Sequence, residues 1–233
     1  MVGSVSAVEI NENLSINGFI DGSITKTDNG AGVDLNGDLT ADGDDANWGL
    51  DEIEVNFLFN VGSVSGTVAL DSQNIGTTND DIEIEQAHFT YTLENGVSLT
   101  FGRYGSALGL EREDPAGLYT FSRAYGGSAF DFGNIDQDGN AREGLNISYA
   151  ADAWSLGVSI DSKAGSIRSN NTKDDLDFEV ALSYTGIENL TLNIGHRADN
   201  EPTATPSNDV DVTNINATYQ VGKALLGAEW SQI

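Results

Sequence analysis

Cysteine is absent from this 233-residue sequence, and Lys and Arg together number only 10. Without cysteine there is no disulfide framework and no thiolate metal site. Against 37 Asp and Glu, and a formal charge of −27, so few basic side chains cannot displace the counterions of a nucleic acid. The same scarcity excludes basic docking on an anionic lipid surface. Proline occurs three times. No apolar run approaches the roughly 20 residues of a membrane-spanning helix. That excludes a helical inner-membrane protein but not a membrane barrel, whose strands are short and alternate. Glycine is plentiful at 27 residues, which suits strands joined by turns.

The dominant signal is period-two alternation. Leu14, Ile16, Ile20 and Ile24 share one face, with Ser15, Asn17, Asp21 and Ser23 on the other. Ile53, Val55, Phe57 and Phe59 oppose Glu52, Glu54, Asn56 and Asn60. Leu176, Phe178, Val180, Leu182 and Tyr184 oppose Asp175, Asp177, Glu179 and Ser183. About eleven such strands begin near Leu14, Glu52, Val64, Gln86, Val97, Leu145, Trp154, Asp175, Leu190, Asn214 and Ala224. A soluble sandwich alternates too, so the pattern alone does not decide the class.

The connections discriminate better. Short turns at 62–63, 94–96, 151–152, 186–189 and 222–223 alternate strictly with long polar segments at 27–47, 72–80, 105–142, 162–174 and 199–209. An up-and-down meander then carries all its short turns at one end and all its long loops at the other, as outer-membrane barrels do. Phe59, Tyr91, Tyr149, Trp154, Tyr184 and Tyr219 lie on the apolar face close to the short turns. That is where an interfacial aromatic girdle belongs. The fold class expected is all-β: one antiparallel up-and-down transmembrane β-barrel domain over residues 1–233, in a Gram-negative outer membrane. Its partners are outer-membrane lipid and lipopolysaccharide. Eleven is an odd count, and bacterial single-chain barrels have even ones. The expectation is therefore either the N-terminal portion of a larger barrel, or a first strand miscounted so that twelve close. Residues 4–7, Ser-Val-Ser-Ala, read either as the small-residue end of a signal peptide or as a chance likeness.

From Gly102 the sequence GRYGSALGLEREDPAGLYTFSRAYGGSAF breaks the alternation. Gly102-Arg103, then Leu108-Gly109 with Glu111, then Ser122-Arg123, resemble the corresponding stretch of porin-like outer-membrane barrels. The resemblance implies that segment 105–141 is the loop that folds into the lumen and narrows the pore. It also implies a passive channel for small hydrophilic solutes, possessing no catalytic residues, and a homotrimer. The residues alone support the placement. Arg103, Arg112 and Arg123 stand among Glu111, Glu113 and Asp114 in a chain poor in basic residues, and opposed charges across a constriction screen solutes by charge. Glu52, Glu54, Asp71, Gln86, Asp177 and Glu179 are the expected pore lining. Their excess of carboxylates predicts a preference for cations.

Two smaller features remain. Asp34, Asn36, Asp38, Asp42 and Asp45 take calcium-loop positions one, three, five, nine and twelve, although position six is Leu39 rather than glycine. Ca²⁺ in the acidic loops and a merely solvated acidic loop are both open readings; no cofactor is required. His88 projects to the polar face and His196 to the other, too far apart in sequence to pair on a metal. The rival functional classes are a non-conducting binding or adhesin barrel and a secreted calcium-binding β-protein.

Overall fold

In the computed structural model, the described residues are 2–28, 44–73, 75, 82–110, 141–163, 176–199 and 210–232. They form one antiparallel sheet of twelve strands, each hydrogen-bonded to its neighbours in sequence. The strands are β1 Val2–Asn11, β2 Leu14–Asp28, β3 Asp44–Val61, β4 Val64–Gln73, β5 Glu83–Thr92 and β6 Val97–Gly105. They continue as β7 Ala141–Ala150, β8 Trp154–Lys163, β9 Asp177–Ile187, β10 Leu190–Asp199, β11 Val210–Val221 and β12 Ala224–Gln232. Among the described residues β1 and β12 do not pair with each other, and the sheet is open.

The meander follows from its turns. Two residues join β3 to β4, β9 to β10 and β11 to β12, and Gly62, Asn189 and Gly222 there adopt positive φ. Glycine and asparagine are the residues that tolerate this conformation. Every short turn lies at one end of the sheet, because short and long connections alternate.

Burial is inverted relative to a soluble protein. The polar face is the covered one: Asp177 is 1% exposed and Glu179 4%. The apolar face is open, with Leu182 at 41% and Tyr184 at 40%. An apolar face of this extent, continuous over all the strands, is a lipid-facing surface. The aromatics of the short-turn end lie on it, and the rings of Tyr149 and Trp154 meet at 5.5 Å. Trp48 supplies the opposite border of the apolar face on β3. From Phe59, opposite Leu14, to Trp48, opposite Ile24, the ladder runs ten steps. At ~3.3 Å per residue and a tilt of ~40° this spans about 25 Å along the membrane normal, the height of a barrel's apolar band. Val180 lies midway along the apolar face of β9 and Leu176 just beyond its end. Val180→Arg is expected to lower folding stability in lipid vesicles by about 2–4 kcal/mol, and Leu176→Arg by about 0–1. Denaturant titration checks this; equal costs at both positions would contradict the membrane placement.

Two expectations change. Residues 4–7 belong to β1, paired with β2 from Val2↔Asp21 to Asn11↔Leu14, so the count is twelve and not eleven. A register shift between Val5 and Val8 breaks the alternation of β1 and hid it as a strand. The segment 27–47 is not all loop, because β2 and β3 run on as a ladder to Asp28↔Asp44. Asp51 is the extra residue of a bulge between the pairs Asp21↔Glu52 and Gly22↔Leu50. Beyond it Leu50 and Trp48 return to the apolar face out of phase with Ile53 and Val55, which a strict period of two cannot follow.

Candidate functional site

The functional surface is the covered polar wall and the short arm of chain that crosses it. After β6 the chain turns inward, and residues 106–110 lie against β9–β12. Glu179 accepts hydrogen bonds from Ser106 Oγ at 2.6 Å and from the Ala107 amide at 2.9 Å. The Gly109 amide donates to Asn214 Oδ1 at 3.3 Å, and the Leu110 amide to Glu229 Oε1 at 2.9 Å. Glu229 and Asn214 are themselves tied by a 2.7 Å hydrogen bond. Three successive wall side chains thus satisfy backbone donors that a strand ladder would otherwise have to satisfy.

Packing reinforces this arm. Leu108 is buried beside Val212 and sits directly over Gly195. A Cβ on Gly195 would overlap Leu108 Cδ2, and one on Gly227 would come within 3.0 Å of Leu110 Cδ2. The two glycines open sockets in the wall for the two leucines.

Beneath the arm the wall is ionic. Arg197, 0% exposed, lies 2.6 Å from Asp161, 3.2 Å from Glu179 and 3.6 Å from Asp177. Glu179 therefore joins two systems, accepting from the guanidinium on the wall and from the arm above it. Nearer the short turns the wall holds two separate amide hydrogen bonds, from Asn146 to Ser159 Oγ at 2.8 Å and from Asn193 to Asn216 Oδ1 at 2.7 Å.

The family model described as Putative beta-barrel porin-2, OmpL-like, matches residues 13–228. The chain belongs to this porin family. The outer membrane channel DcaP of Acinetobacter baumannii superposes on it with a TM-score of 0.58 at 16% identity, covering 97% of this chain and 66% of that one. A mutant of the Rh. blastica porin gives a TM-score of 0.54 at 14% identity, covering 94% and 73%. At these identities the likeness shows the shared fold alone, and the chain spans about two thirds of the DcaP chain. No curated protein matches it.

Within this porin barrel the expected lining residues Glu52, Glu54, Asp71, Asp177 and Glu179 all take buried positions on the polar wall. Glu54 and Asp71 face each other across β3 and β4, and Asn56 donates to Glu54. Gln86 shares this face, opposite Ala69. Arg103 does not join them. The ladder pairs it with Glu143 and Ala87, in phase with Phe101 on the apolar face. Glu111, Arg112, Glu113, Asp114 and Arg123 lie outside the described residues, as do Asp34, Asn36, Asp38 and Asp42. Asp45 stands in β3 opposite Thr27. Among the described residues no group of three or more His, Cys, Asp or Glu is arranged to hold a metal ion. His88 is on the polar wall, and His196 is on the apolar face, bonded to Thr213 Oγ1 at 3.0 Å.

Sequence reasoning passed over Arg142, Asp161, Arg197, Asn214 and Glu229. Asp161 and Arg197 carry the signal that would have found them: each takes a polar-face position at the loop end of its strand, Arg197 opposite Glu179 and Asp161 opposite Asp177. Arg142 was hidden by its place at the edge of the long segment 105–142.

Proposed function

We propose that the chain forms the wall of a water-filled outer-membrane channel through which small hydrophilic solutes diffuse passively, with a preference for cations. The observation that carries this reading is the arm 106–110, held across a polar and acidic wall by Glu179, Asn214 and Glu229. An arm on the inner face narrows a lumen, whereas a plugged or purely structural barrel has no need of a carboxylate-lined one. The reading places Glu111, Arg112, Glu113, Asp114 and Arg123, which follow the arm in sequence, at the constriction. Arg103, whose register is in phase with Phe101 on the apolar face, is left out of the constriction in this reading. The open sheet supports closure by further strands, since an unpaired strand edge in lipid costs several kcal/mol per backbone group by rough estimate. Lipid and lipopolysaccharide contact the apolar face in this reading, and the assembly is a homotrimer.

The test is single-channel recording of the full-length protein in a planar bilayer with a KCl gradient. Stable conductance steps and a reversal potential favouring K⁺ are expected. A reversal potential favouring Cl⁻ would sink the cation preference, and insertion without steps would remove the channel while leaving the barrel.

A further inference from the structure

The charge of the inner wall is segregated along its length. On each of β2–β11 the inward positions are read in order from the short turn. The first three carry no Asp, Glu, Lys or Arg on any of these strands, and His88 is their one titratable group. On β4 they are Ser65, Thr67 and Ala69, and the next is Asp71. On β9, Thr185, Ser183 and Ala181 precede Glu179. Asp21, Glu54, Asp161 and Arg197 begin the charged zone at the same height on their own strands, with Glu52, Asp177 and Arg142 one position farther out. With Glu83 opposite Asp71, eight carboxylates among the described side chains thus face two guanidiniums in this zone. Residues 111–140 cannot reverse that balance, because they hold two Arg against six Asp and Glu.

The flanking strands each add one carboxylate to the first three positions: Glu9 of β1, opposite Ser15, and Glu229 of β12, opposite Asn216 and engaged by the arm. Glu12, Glu94, Asp152 and Glu188 are exposed in the short turns, outside the wall, where solvent and salt screen them.

We infer that the lumen is two channels in series, a cation-selecting outer half dense in carboxylates and a charge-poor inner half that holds only the carboxylates of Glu9 and Glu229 among the described residues, and that its current is therefore asymmetric in voltage. The inference rests on the channel reading above. In the outer half the fixed carboxylates exclude anions, so cations carry the current. In the inner half both ions carry it. When cations are driven from the acidic half toward the turn end, both ions converge on the junction and salt accumulates there. When they are driven the other way, both ions leave the junction and it is depleted. The first polarity conducts better.

The charge-poor half is three inward positions long, about 20 Å along a strand and about 15 Å along the pore at a tilt of ~40°. That exceeds the ~10 Å Debye length at 0.1 M salt, is far longer than the ~3 Å at 1 M, and is shorter than the ~30 Å at 0.01 M. Asymmetry is therefore greatest near 0.1 M. At 1 M the acidic zone is screened, and at 0.01 M its field fills the whole pore.

The experiment is current–voltage recording of the full-length protein in planar bilayers at these three KCl concentrations. The chain has no cysteine, so a Lys223→Cys variant carries one biotin label in the β11–β12 turn. Streptavidin added to one chamber then reports which way the turn end faces. At ~0.1 M, current driving K⁺ from the loop end toward the turn end is expected to exceed the reverse current by on the order of 1.5-fold at equal voltage. The ratio falls toward one at the other two concentrations. Thr67→Asp with Ser183→Asp, which doubles the carboxylates of the charge-poor half, lowers the ratio at ~0.1 M toward one. Equal currents in a cation-selective channel would overturn the two-zone lumen and leave the channel reading intact, and so would the opposite polarity preference. A lack of conductance steps would overturn both.

Discussion

Valine at position 195 will release the arm from the wall and raise single-channel conductance. Gly195 is where Leu108 rests, and the site is bounded by Val180 O and the Ala181 Cβ, 3.2 and 3.6 Å from any Cβ placed there. Rotation of Leu108, a flexible side chain, relieves the overlap with a single added methyl. Valine directs two further methyl groups into the volume that Leu108 fills, and Leu108 is itself closed in by Val212. Overpacking of this kind costs about 2 kcal/mol, which shifts the docked-to-released ratio of the arm about 30-fold. The hydrogen bonds to Glu179, Asn214 and Glu229 are lost together, because the arm leaves as a unit. The expected trace has a larger and noisier open level. Leu108→Ala on the valine background vacates the contested space, and the double variant returns toward the parent conductance. The coupling between the two positions, read from a double-mutant cycle, isolates this socket from general disruption. A conductance unchanged by Gly195→Val would mean that the arm does not narrow the pore.

The family and the sense of the sheet were legible because a barrel wall writes its two faces directly into alternate residues. Glu52, Glu54, Asp71, Asp177 and Glu179 all fall on the covered face, as the alternation indicates. The losses occur where the ladder slips. The shift at Asp51 displaced Trp48 from the phase of Phe57 and Phe59, and the shift between Val5 and Val8 concealed β1. Arg103 was misplaced for a different reason. Its company in the sequence, a glycine before it and an acidic loop after it, suggests the lumen. Strict alternation from Phe101 puts it on the other face, and alternation prevailed because Gly102, at φ 127°, stays in register with His88 and Gly144. The anchors of the arm were not legible at all. Asn214 and Glu229 lie more than 100 residues from the amides they hold, and no local pattern marks a side chain whose partner is a distant backbone.

Arg197→Met is expected to be the most destabilising single change in the wall. The guanidinium is fully buried and lies within 2.6–3.6 Å of three carboxylates, of Asp161, Asp177 and Glu179. Methionine fills a comparable volume, so the loss is electrostatic rather than a cavity. Removing one partner of a buried ionic group costs about 3–5 kcal/mol, because the remaining charges stay where they are without compensation. Here three carboxylates on adjacent strands are left facing one another. Lysine does not substitute: its compact ammonium cannot fork between Asp161 and Glu179 as a planar guanidinium does. The midpoint of urea unfolding in detergent micelles is expected to fall clearly for Arg197→Met and less for Arg197→Lys. Asp161→Asn on the methionine background removes one of the stranded charges and recovers part of the loss. Because Glu179 also holds Ser106 and Ala107, the same variant should loosen the arm and raise conductance, coupling a wall substitution to the pore. A methionine variant as stable as the parent would show that the carboxylates of this zone take up protons or find other cations, and the acidic wall would then owe nothing to Arg197.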